Sequence, residues 1–226
     1  MNNLHTSVFR KIYLTEAVLC LTMLLMPAGI IAAFFLFGRQ SFVVSSSMAC
    51  IVFLTAIRLF LMISLANRLA EAADTAADFY HAKNWCLMQS VTEALMLLFH
   101  FTLIVIRSQL SGTAVPQLML LTGGYAFYTI ILQSFDYLTK RALLRGFGHI
   151  WTLCGGDKSE TRRLRLTYWM LLLSLGLLLP LILAYTCKPS LMYLPTCAAV
   201  PLILIVQIRI TLHARRTAAL ITALSE

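Results

Sequence analysis

Charge is scarce in this chain: Asp, Glu, Lys and Arg together make up 12% of its 226 residues. A soluble domain of this length commits about 25% to charged surface. With 60% of residues hydrophobic, the chain carries more apolar surface than one core can hide, so lipid must serve as part of its solvent. Recognisable catalytic signatures are missing as well. There is no phosphate-cradling G-x-x-x-x-G-K-[ST], no H-E-x-x-H and no G-x-S-x-G. The six cysteines form no C-x-x-C pair and sit beside no histidine at metal-ligand spacing. No histidines are paired to hold haem between spans. No cofactor and no metal are therefore expected, and nothing points to an enzyme.

What is present is long apolar runs. Six can be read, at about 15–37, 43–66, 85–107, 116–137, 167–187 and 190–211, each near the ~20 residues a helix needs to cross the hydrocarbon. They are continuously apolar, without the alternation of barrel strands, so the expected fold is all-α: one polytopic bundle of six transmembrane helices. The first run is too long for a secretory signal and "PAGIIAAFFLF" offers no small-x-small cleavage site, so it reads as a retained span.

The basic residues orient the bundle. Of 18 Lys and Arg, 14 fall on the side that also holds both termini, and only Arg39, Arg107 and Lys188 fall opposite. That is a positive-inside pattern, with both termini expected in the cytoplasm. It accounts for the net charge of +9 without nucleic acid, since the basic residues are scattered over four segments. The outer connections are short ("GRQS", "RSQLSGTAV", "CKPS"). The inner ones, 67–84 and 138–166, are long and are the expected docking surface for a cytoplasmic protein partner.

Within the second inner connection, Leu143, Leu144, Phe147, Ile150, Trp151 and Cys154 share one helical face. This predicts either an amphipathic helix lying on the inner membrane surface, with Trp151 among headgroups and Gly155-Gly156 as its stop, or a straight extension of the fourth span into the cytoplasm. In the first, Glu71, Asp74 and Asp78 make an acidic stripe available to the basic residues of 140–165. Three loosely similar hairpins resemble nothing more specific. The Pro-x-[Asp/Glu]-x-x-[Lys/Arg] signature of three-hairpin mitochondrial carriers follows none of the odd spans.

The remaining signal is charge inside the membrane. Arg58 lies nine residues before Asn67, about 13 Å along a helix, at an insertion cost of ~2.5–3.5 kcal/mol. Glu93 stands at nearly equal depth on the antiparallel third span, which predicts an Arg58–Glu93 pair. His100, one heptad on, would extend this into a polar track, giving Arg58, Glu93 and His100 as the candidate binding centre. Glu16 and Asp136 read as boundary carboxylates matched by nearby cations. Pro27, Pro180, Pro201 and Gly123-Gly124 would deform spans. Cys187 and Cys197 flank the last outer loop as a candidate disulfide. The functional expectation is a transport or permease-type subunit for a small solute. The alternative is a membrane sensor or assembly scaffold acting through its cytoplasmic face.

Overall fold

The computed structural model describes the backbone of residues 3–37, 41–109, 115–155, 158–187 and 193–225, and side chains within 6–25, 52–99, 101–102, 130–155, 158–177 and 201–224. The described chain is all-helical: α1 (Asn3–Phe37), α2 (Ser41–Ala72), α3 (Ala77–Gln109), α4 (Val115–Leu153), α5 (Lys158–Cys187) and α6 (Tyr193–Ser225). Each helix packs on its neighbours in chain order, and α6 returns to α1, closing a ring; α4 also reaches α6, which leaves α5 on the outside of that contact. Among the described residues one segment, Val52–Ala72, is long and apolar enough to cross a membrane.

The inner connections are not loops carrying a surface helix. α2 runs on to Ala72 and α3 begins at Ala77, joined by a turn in which the Thr75 amide donates to the Ala72 carbonyl (2.9 Å). α4 continues without a break to Leu153 and stops at Gly155, whose φ of 67° is the left-handed conformation that glycine adopts at helix ends. The predicted surface helix is therefore the straight end of α4. Its apolar face does not meet lipid: Leu143, Phe147 and Ile150 are fully buried in the bundle, and Trp151 Nε1 donates to Thr217 of α6 at 3.1 Å. A 3.6-residue period reports a buried face without saying what buries it. The acidic stripe is also used differently, since Glu71 pairs with Arg68 one turn away at 2.9 Å.

This end of the bundle has a dense core. Phe79 of α3 makes edge-to-face contacts with Phe9 of α1 (5.6 Å) and Phe147 of α4 (5.9 Å). The ring reaches α4 because Gly146 has no side chain: a Cβ there would lie 2.7 Å from Phe79 Cε1 and Cζ.

The outward faces of five helices turn from polar to apolar along their length. On α1 the exposed residues pass from Arg10 and Lys11 to Leu14, Val18 and Leu21. On α2 they pass from Glu71 and Asn67 to Ile63, Phe60 and Phe53. On α3 they pass from Tyr80, His81 and Asn84 to Leu87, Val91 and Leu95. On α5 they pass from Arg162 and Arg165 to Trp169 and Leu173, and on α6 from Arg215 to Leu212, Ile208 and Ile205. Soluble monomers rarely expose a contiguous apolar band of this kind.

The Phe79 contact predicts that Gly146→Ala destabilises the bundle by about 1–3 kcal/mol, because the clamped ring cannot yield. Gly148→Ala, whose added Cβ meets only Leu164 Cδ1 at 3.9 Å, should instead be stabilising by up to about 1 kcal/mol through helix propensity. Unfolding in detergent micelles measures both.

Candidate functional site

Five helices each send polar side chains to one buried centre just inside the apolar band. α2 supplies Arg58 and α3 supplies Glu93, and the predicted pair forms: Arg58 Nε lies 2.8 Å from Glu93 Oε1, with the side chains 21% and 2% exposed. Glu93 accepts no hydrogen bond among the described residues, so the contact is ionic and not aligned along an N–H. α4 adds Asp136, whose Oδ1 lies 3.8 Å from Arg58 Nη2 and accepts from Gln89 Nε2 of α3 at 3.2 Å. Lys140, one turn along α4, holds Asp136 Oδ2 at 2.5 Å. α1 contributes Glu16, 3% exposed, which accepts from Gln207 Nε2 of α6 at 2.7 Å.

The helices place these groups for plain reasons. Asp136 and Lys140 are spaced i, i+4 and share one face of α4, as do Gln89 and Glu93 on α3. Antiparallel packing of α2 against α3 sets Arg58 and Glu93 at one depth. Glu16 and Asp136, read from sequence as boundary carboxylates, are in fact drawn into this same centre. Asp136 meets the neighbouring cation expected of it, Lys140, whereas Gln89 and Gln207 were not anticipated as partners. The signal for Gln207 was its isolation in the apolar run "LILIVQIRI", and for Gln89 its position one turn from Glu93.

Among the described residues the centre counts three carboxylates (Glu16, Glu93, Asp136) against two cations (Arg58, Lys140). Arg58 serves Glu93 and Asp136, and Lys140 serves Asp136; Glu16 has no cation within ion-pair reach. A buried charge without a counter-charge is strongly unfavourable. An amide suits the odd carboxyl in either protonation state. Gln207 offers N–H to a carboxylate or, turned over, its carbonyl to a carboxylic acid. A void of about 20 Å³, lined by Glu16, Arg58, Asp136, Lys140 and Gln207, exceeds the ~10–15 Å³ one water requires. A second, of about 10 Å³ between α4, α5 and α6, is lined by Asp136, Lys140, Tyr137 and Ser174. Asp136 and Lys140 form the wall common to both. The void that Arg58 lines is water-sized, and among the described residues no His, Cys, Asp and Glu side chains form a metal-binding group.

A second polar cluster ties α5 to α6 nearer the turns. Buried Glu160 takes Arg216 Nη1 at 2.6 Å. Thr167 Oγ1 donates to the Arg163 carbonyl (2.9 Å) and accepts from Arg209 Nε (3.0 Å), so its 3.0 Å contact with His213 is filled by Nε2–H of the ring. His213 Nδ1 is left as a bare acceptor without a hydrogen-bond partner, 4.0 Å from Glu160 Oε2. Burial pushes His213 down to about 4, with Glu160 opposing and Arg216, Arg209 and Arg163 assisting.

The side chains of His100, Cys187 and Cys197 lie outside the described residues, as do those of Pro27, Pro180 and Gly123-Gly124; the α6 helix runs through Pro201. No known family model matches the chain, and no curated protein and no solved structure does either.

Two outcomes follow from this geometry. Arg58→Leu and Glu93→Leu should each cost about 3–5 kcal/mol, by stranding a buried charge. The double variant should lose less than their sum by about 0.5–3 kcal/mol, read as a double-mutant cycle of unfolding in micelles. For His213, the unfolded ring takes up its proton near 6.5, whereas the folded ring stays neutral down to about 4. The unfolded state therefore binds more protons between those values, and stability falls as pH drops through that window. His213→Gln, which keeps a donor for Thr167, should flatten that part of a thermal-midpoint profile against pH.

Proposed function

We propose that this chain is a six-span membrane protein of transport type, both termini cytoplasmic, whose centre binds and exchanges one proton. The observation that carries the reading is the count of charges: among the described residues three buried carboxylates face two cations, and Glu16 has neither cation within ion-pair distance. A proton is the smallest species that restores neutrality, and the water-sized voids beside Asp136 and Lys140 suit proton passage better than entry of a larger cation. The membrane assignment is supported by the way the exposed faces of five helices turn from polar to apolar along their length. The bias of 14 basic residues to the side of the turns and termini supports the orientation. Ionisable groups inside a membrane default to proton relays and substrate paths.

A second reading has its own support. The centre is closely packed, which suits a sensor or an assembly scaffold whose charges only fix helix register.

Infrared spectroscopy of the lipid-reconstituted protein separates the two. At pH 7 the wild type should show a buried carboxylic-acid C=O band that is lost in Glu16→Gln and shifts promptly on transfer to D₂O. A band that stays unshifted in D₂O supports the scaffold. Absence of the band, or its persistence in Glu16→Gln, overturns the proton assignment.

A further inference from the structure

A cavity of about 300 Å³ lies away from the charged centre, in a groove between α3 and α4. Asp78, His81 and Trp85 of α3 line one side; Leu138, Arg141 and Arg145 of α4 line the other. The two helices run antiparallel, since Phe79 meets Phe147 while Gln89 meets Asp136. Asp78 and Arg145 therefore stand at the turn end of the groove, and Trp85, Leu138 and Arg141 stand deeper. Trp85 sits where the exposed face of α3 changes from Asn84 to Leu87 and Met88. The groove straddles the line between charged and apolar surface.

Neither arginine in it is satisfied by the protein. Arg141 and Arg145 form no ion pair among the described residues. Arg141 Nε is buried and has no hydrogen-bond partner. Its guanidinium carbon lies over the Tyr168 ring of α5, 5.9 Å from the centroid, a contact that uses none of its N–H donors. Asp78, at the turn end, is the one carboxylate among the groove's lining residues, so the two guanidiniums leave a positive excess. Two neighbouring guanidiniums that form no ion pair among the described residues, lining one groove with Trp85 and Leu138, make a receptor for a phosphate oxygen attached to something apolar.

We propose that this groove binds the phosphate of an anionic phospholipid of the inner leaflet, with Arg141 and Arg145 on the headgroup and Trp85 and Leu138 against the start of the acyl chains. The inference rests on the membrane reading above. The shared chemistry, a phosphate anion, could also come from solution, but Trp85 and Leu138 in the groove favour the lipid.

The test uses the full chain extracted in detergent, titrated with phosphatidylglycerol, phosphatidylcholine or inorganic phosphate and followed by native mass spectrometry and thermal unfolding. Phosphatidylglycerol should bind and raise the midpoint, whereas phosphatidylcholine and inorganic phosphate should not. The double variant Arg141→Gln, Arg145→Gln should bind phosphatidylglycerol at least tenfold more weakly. Arg145→Gln alone, at an exposed position, carries the comparison if the double variant does not fold. Equal binding by variant and wild type, equal binding of the two lipids, or the same midpoint shift from inorganic phosphate overturns the lipid site. Recovery of the chain in the soluble fraction without detergent overturns the membrane reading itself. Recovery in membranes with no lipid preference overturns only the groove.

Discussion

The arrangement turns on an electrostatic constraint: no charge at the centre can be satisfied by its own helix except in the Asp136–Lys140 step. Arg58 needs α3 and α4, and Glu16 needs α6. Gln89 of α3 braces Asp136 of α4. In water these contacts would be worth little, because exposed pairs contribute about 0–1 kcal/mol. Buried, each group depends on partners from a different element, so the helices must be assembled together before any of the charges is tolerable. The ring closure between α1 and α6 is the geometric expression of that dependence, since the Glu16–Gln207 bond spans the two ends of the chain.

Around that centre the bundle divides its labour along its length. The end nearer the turns is held by ordinary packing, with Phe9, Phe79 and Phe147 interlocked across three helices and alanines at 66, 72, 76 and 82 allowing close approach. The centre is held by charge and amide contacts. The outward surface is left to the surroundings, turning from polar to apolar along five helices. Among the described residues the charged side chains gather at the buried centre, in the Glu160 cluster and at the near edge of the apolar band.

Much of the helical architecture was legible from hydrophobic runs, and the Arg58–Glu93 contact followed from depth alone, because two antiparallel helices place equal distances from a turn side by side. What could not be read was azimuth. Sequence gives how far along a helix a residue stands but not which neighbour it faces. Glu16 was therefore matched to a boundary cation, although it is bonded to Gln207; Asp136 does meet the neighbouring Lys140, and Arg58 of α2 besides. Trp151 was placed at a membrane surface, although its indole is bonded to Thr217 inside the bundle. The same limit hid the second cluster, in which Glu160, Thr167, His213 and Arg216 come from two helices whose pairing no local pattern announces.

α5 stands apart from this dependence. Among the described residues it packs against α4 and α6 and gives no charged side chain to the centre, only Leu171, Ser174 and Leu175 to the wall of the second void. Its polar ties to α6 converge on Glu160 and Thr167 near the turns. Swinging its far end outward about those anchors would widen the crevice beside Tyr137 and Ser174 while every ion pair at the centre stayed intact. Of the six rods, it is the one that can act as a door leaf at the smallest electrostatic penalty.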